Sequence, residues 1–281
     1  MKKLLLSLLA SACVASSAHA AVIYGVDENN NLMSFSSSAP GTTLSSLAIT
    51  GITNSINAID FRPINNRLYA LSSDNIIYTI NAASGVATAV SGVLALTGTH
   101  FAFDFNPTID RLRIVSNTNA NYVFNPNDGS LTTATSVFYG MGDTNAGGDP
   151  DVTAGAYTSS VFGAPGASTQ LYSIDTALDV LTKQANSVGT LTTVGALGVN
   201  LGSRTSFDIA GSDAFAFNGS TLYSVNLATG ALSSLGNTDR ALFGIAIAAV
   251  PEPASWAMMI SGFALIGASL RRRTTARLSY S

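Results

Sequence analysis

Asp60, Asp104 and Asp208 stand at one position of a repeating pattern, each between apolar residues (AIDFR, AFDFN, SFDIA). Carboxylates that recur in this way can be gathered by a symmetric fold. Gathered around a central channel, such carboxylates offer hard oxygen ligands to a cation. A purely structural reading competes with this one. Arg67 follows Asp60, and Arg111 follows Asp104, at a constant spacing. If residues 63 and 64 centre a tight turn, acid and base face each other across a hairpin and stabilise it by about 0.2–1 kcal/mol. A second acidic stretch is GDTNAGGDPD, Gly142 to Asp151, where Asp143, Asn145, Asp149 and Asp151 fall at nearly every second position. Oxygen donors so spaced can wrap Ca²⁺, although the distal Glu of an EF-hand is missing. No other cofactor is expected.

Other chemistries are excluded by composition. The sole cysteine is Cys13, so the chain beyond it has no disulfide and no thiol nucleophile. Past the N-terminal leader, His100 is the one histidine and Lys183 the one lysine. His-rich metal sites, Cys-His pairs and Ser-His-Asp triads are therefore absent unless His100 serves alone. Among Phe101, Phe103 and Phe105, His100 reads as a packing or hydrogen-bonding residue. Tyr69, Tyr78, Tyr172 and Tyr223 fit a core between strands better than a sugar-stacking platform.

The elements that must position these residues are repeats. IDFRPINNRLYALSSDNIIYTINAASG, starting at Ile59, returns as FDFNPTIDRLRIVSNTNANYVFNPNDG, starting at Phe103, with every landmark advanced by 44 residues. That period marks a solenoid or a propeller. Each unit carries four short runs of β-branched and aromatic residues, strands a to d, with Asn, Gly, Ser and Asp between them. The second unit predicts strands at 57–61, 67–72, 76–81 and 86–90; the third at 101–105, 111–116, 120–125 and 130–135. The fifth gives 206–210, 213–217, 221–226 and 231–235. In the fourth, strand a at 154–158 is followed by an inserted loop, and LYSID is read as strand b. The first unit begins directly at strand b with VIYGVD, while LFGIAIA (242–248) is a strand a with nothing after it. A spare strand at one end and a gap at the other predict a ring closed in a shared blade. The expected fold is thus all-β, a propeller of about five four-stranded blades. On this reading two blades lack the aspartate, carrying Gly244 and either Ala156 or Tyr157. Asn81 to Gly85, Asn125 to Gly129 and Asn226 to Gly230 repeat Asn-x3-Gly and mark the c–d turns, where Gly supplies positive φ.

The two ends are not propeller. Lys2-Lys3, the apolar run from Leu4 and Ala18-His19-Ala20 form a secretory signal peptide, residues 1–20, with cleavage expected after Ala20. Cys13 opens a lipoprotein-type alternative, but Ala10-Ser11-Ala12 lacks the usual Leu three places before the cysteine. Residues 254–270 are an uncharged, mostly apolar run of about 25 Å as a helix, the short end of a membrane span. Arg271, Arg272 and Arg273 then give the basic stop expected on the cytoplasmic side, with 274–281 a short basic tail. Between these ends, residues 21–249 hold seven Lys plus Arg against fifteen Asp plus Glu. So acidic a domain should repel nucleic acid and anionic membrane surfaces.

Two resemblances follow from these residues. Pro251-Glu252-Pro253, the apolar span with Trp256 and Arg271 to Arg273 resemble the PEP-CTERM sorting signal of Gram-negative bacteria that make exopolysaccharide. The resemblance implies secretion machinery and an exosortase as processing partners, transient inner-membrane insertion, and cleavage near Pro-Glu-Pro. Delivery to the cell surface or extracellular matrix would follow. Second, YGVDENNNL (24–32), IDFRP (59–63), LYAL (68–71), FDFNPTIDRLRIVS (103–116), AYT (156–158) and LYSIDTALDVL (171–181) resemble the domain of unknown function 4394. That resemblance brings no activity. A non-enzymatic binding or structural role is the expectation, with extracellular polysaccharide or a surface protein as partner. The alternative is a carboxylate-dependent hydrolase or lyase acting on matrix polysaccharide, which an inverting pair of carboxylates about 6.5–9.5 Å apart would favour.

Overall fold

The computed structural model describes residues 20–248 and Phe263. The leader before Ala20, Cys13, the Pro-Glu-Pro, the 254–270 run, Arg271 to Arg273 and the basic tail lie outside those residues. Among the described residues no helix is long and apolar enough to cross a membrane.

The strands run in chain order as β1 (Val22–Asp27), β2 (Asn31–Ser36) and β3 (Ala39–Ala48); β4 (Ile56–Arg62), β5 (Arg67–Ser72), β6 (Ile77–Ile80) and β7 (Ala87–Ala89); β8 (Phe101–Asn106), β9 (Arg111–Ser116), β10 (Asn121–Phe124) and β11 (Leu131–Thr133). There follow β12 (Phe138–Tyr139), β13 (Val152–Tyr157), β14 (Leu171–Asp175), β15 (Val180–Gln184) and β16 (Thr190–Ala196). The last set is β17 (Thr205–Ala210), β18 (Asp213–Asn218), β19 (Thr221–Val225), β20 (Leu232–Asn237) and β21 (Leu242–Ile247). They form five small sheets, the blades of a five-bladed β-propeller. The expected architecture is therefore the one observed, with LYSID as the second strand of the fourth blade.

Closure is as the two ends require. β21 pairs antiparallel with β1, Ile23 opposite Ile247 and Gly25 opposite Ile245, so the first blade has the order β21-β1-β2-β3. This pairing removes two open strand edges at once. A Cβ on Gly25 would lie 2.5 Å from Leu242 Cδ1, so any larger residue there would require the Leu242 side chain to move.

Each blade buries apolar residues against the next, and the core is five layers around the ring. One gap holds Val26, Leu32, Ile59, Phe61 and Leu68; the next Tyr69, Phe103, Phe105 and Leu112. Tyr24 meets Phe61 edge-on at 5.2 Å, and Tyr69 meets Phe105 the same way at 4.9 Å. The gap between the third and fourth blades is the exception. There the short β12, unforeseen in the sequence, pairs parallel with β16 and adds Tyr139 to a smaller apolar layer.

The Asn-x3-Gly turns behave as expected. Gly85, Gly129 and Gly230 have φ of 74°, 74° and 85°. Asn81, Asn125 and Asn226 each accept, through the side-chain oxygen, the N–H two residues on. The first hairpin turn differs from expectation. Four residues, 63–66, separate β4 from β5, so Arg62 faces Arg67 and Asp60 faces Tyr69. In the third blade Asp104 likewise faces Arg113, and Arg111 faces Asn106. The supposed Asp60–Arg67 and Asp104–Arg111 pairs do not form, because the turn is longer than the two residues they require.

Candidate functional site

The first strands of the blades, β21, β4, β8, β13 and β17, surround the central channel. At the end where these strands finish, the channel is lined by Asp60, Phe61, Asp104, Phe105, Asp208 and Ile247. At the other end it is lined by Ala58, Phe103, Ala154, Ser206 and Gly244 among others. Alternation along a strand sends every second side chain to the same side. Asp60, Asp104 and Asp208 thus come from equivalent positions on three strands. They meet, with one carboxylate oxygen of each lying within 4.8 Å of the others.

Every one of the three is tied to the strand of the following blade. Asp60 accepts the Phe105 N–H at 2.7 Å, Asp104 the Tyr157 N–H at 3.1 Å and Asp208 the Ile247 N–H at 2.6 Å. Asp208 also accepts the N–H of Ile209 at 2.6 Å. This pattern fixes the register of the remaining strands. The residue before Tyr157 is Ala156 and the residue before Ile247 is Ala246, so these two alanines occupy the positions without an acid. Gly244, expected there, lies one step deeper beside Ser206 and Ala154. The register of β21 is set by its Ile247 N–H, the group that Asp208 uses, and no residue type in the strand marks that choice.

Burial dominates the electrostatics. The three side chains are 5–6 % exposed, and among the described residues no Lys or Arg pairs with them. Loss of hydration pushes the Asp60 and Asp104 carboxyls well above the ordinary carboxylate range, and mutual repulsion adds to it. Burial likewise pushes Asp208 up to about 7, against the pull of its two backbone donors. Such a cluster is neutralised by protons or by one small hard cation held between the oxygens. The space admits about one water-sized occupant. It is too small for a sugar ring.

Asp143, Asn145, Asp149 and Asp151 are not brought together in this way. Asp143 accepts from the N–H and hydroxyl of Thr193 on β16, and Asn145 donates to the same hydroxyl. Asp149 accepts from Asn119, and Asp151 from the Thr176 hydroxyl. His100 is half-buried, with Nδ1 3.1 Å from the Thr99 hydroxyl, and burial lowers its pKa.

Two buried arginines escaped the sequence reading. Arg62 forms an ion pair with Asp110 of the next blade and also donates to Tyr69 and Asn127. Arg113 donates to Asn121, Tyr157 and Ser187, linking the third blade to the fourth where the apolar layer is thin. Neither partner set is adjacent in sequence. The one signal available was an arginine inside an otherwise apolar strand.

Comparison with known proteins adds family and destination. No curated protein matches the chain. Residues 249–273 match the PEP-CTERM protein-sorting motif, so the chain is an exported protein with a membrane-transit step and processing by an exosortase. Residues 31–246, nearly the whole ring, match the family model described as Domain of unknown function (DUF4394), and the chain belongs to that family.

Proposed function

We propose that this exported propeller is a non-enzymatic binding or structural module of the cell surface or extracellular matrix, with extracellular polysaccharide or a surface protein as its partner. One observation carries the reading: the converging carboxylates at the centre hold the ring together rather than facing a cleft. Each accepts an N–H from the next blade. Carboxyl pairs of glycoside hydrolases stand about 5–5.5 Å apart in retaining enzymes and about 6.5–9.5 Å apart in inverting ones, with a sugar between them. Here one oxygen of each lies within 4.8 Å of the others, and the space beside them admits about one water rather than a sugar ring. The 142–151 acids are engaged with neighbouring strands and turns, so they offer no second pair.

The test uses exopolysaccharide from cells that make the protein, incubated with residues 21–249. Binding without shortening of the polymer is the expected result. Depolymerisation by the wild-type domain that disappears in Asp60→Asn, Asp104→Asn or Asp208→Asn would overturn the proposal and restore the hydrolase or lyase.

A further inference from the structure

The two faces of the ring differ in charge and in apolar exposure, and the chain leaves from one of them. β21 ends at Ile247 beside the channel carboxylates, and Val22 begins β1 at the same end. Call this the exit face; it also carries the turns between first and second strands and between third and fourth strands. Exposed apolar side chains are more numerous here, although Val93, Met141 and Leu178 are exposed on the far face. Ile64 and Ile109 sit on the β4–β5 and β8–β9 turns, and Val161 and Phe162 on the β13–β14 connection. Gly163 donates to the Pro107 carbonyl, which holds that connection against the neighbouring blade. Arg67 and Arg111 open second strands on the same face, where Asp213 and Asp128 are the exposed acids, and among the described residues neither arginine is in an ion pair.

The far face is acidic. Glu28, Asp74, Asp179 and Asp239 lie in its turns, with Asp149 and Asp151 just ahead of β13. Arg204, Arg240 and the half-buried His100 are its basic groups. An anionic bilayer repels such a surface and tolerates the other.

We propose that the exit face is a membrane-docking surface. While the sorting segment is in the bilayer, the propeller rests on anionic lipid headgroups through Ile64, Ile109, Val161 and Phe162, with Arg67 and Arg111 beside them. The matched motif starts at residue 249, two residues past β21. From Ile247 to residue 254 an extended chain reaches about 25 Å at most, so the tether keeps the ring close to the surface. Docking is then an intramolecular event, and a weak preference for one face suffices to orient the domain. The proposal stands apart from the binding role above.

The chain from Ala21 to Ser281 contains no cysteine. Reconstituted in vesicles of phosphatidylethanolamine and phosphatidylglycerol, it can carry one fluorophore on Asn65→Cys at the exit face or on Asn29→Cys at the far face. Lipids spin-labelled in the headgroup should quench the first several-fold more than the second. Replacing Ile64, Ile109, Val161 and Phe162 together by Ser should remove the difference while leaving the melting temperature unchanged. Equal quenching at both sites would overturn the proposal, as would a difference that survives the four serines. A difference found in native inner-membrane vesicles and missing in pure lipid would also overturn it, in favour of a membrane protein as partner.

Discussion

Asp208 holds its proton to about pH 7 in the folded chain, against 3.8 as the ordinary carboxyl value, and Asp60 and Asp104 are also raised. A group with a raised folded pKa makes the folded state bind more protons than the unfolded chain. Its contribution is therefore complete below the unfolded value and is lost as pH rises through the folded one. The groups facing the cluster are Asp60 on β4, Asp104 on β8 and Asp208 itself on β17; β13 and β21 present Ala156 and Ala246. His100, with its lowered pKa, acts in the opposite sense, and only below about 6.5. Between pH 5 and 7, in EDTA, the unfolded carboxyl is ionised while the folded one keeps its proton, so Asp208→Asn should make the melting temperature fall less, or rise more, with pH than the wild type does. Identical slopes in the two proteins would show that the Asp208 carboxyl is ionised in the fold. At this scale the sequence was informative because the repeat put three acids in register. The Arg62–Asp110 clamp was hidden, since it joins positions that the repeat does not equate.

A turn glycine can be conserved in conformation yet differ in surroundings. Gly85 and Gly129 share φ of 74°, so alanine at either pays the left-handed penalty of about 1–2 kcal/mol. A Cβ on Gly85 would also fall 2.3 Å from the Ala48 carbonyl oxygen, whereas the nearest atom to one on Gly129 is 3.8 Å away. Denaturant unfolding should show Gly85→Ala costing clearly more than Gly129→Ala. Equal losses would mean that β3 does not pack against that turn. The segment from Gly142 to Asp151 gives the second expectation for an element. Its oxygens already have partners on β16 and in adjacent turns, so Asp149→Ala should leave the response of the melting curve to EDTA and millimolar calcium unchanged. A calcium-dependent rise that Asp149→Ala removes would make the segment a cation site after all. Strand existence and order were legible from alternation and turn residues. The length of the β4–β5 turn and the two-residue β12 were not, because both depend on what lies across a blade boundary.

The whole ring is a chain of neighbour contacts that has to close. β21 closes it within the first blade by pairing with β1, and the channel carboxylates join adjacent blades at the centre. The closure could be read from a spare strand and a missing one, since every blade needs its four. Nothing in a linear repeat says that the tie on Asp104 reaches the backbone N–H of Tyr157, in a blade that carries alanine at the aspartate position. The same closure brings both ends of the domain to one face. Native-state hydrogen exchange at the amides of Phe105, Tyr157 and Ile247 tests most directly whether the three carboxylates are structural ties. These N–H groups should exchange only through global unfolding, among the slowest in the domain, and Asp60→Ala should selectively speed Phe105. Exchange at the rate of the surface turns, unaltered by that substitution, would contradict the account.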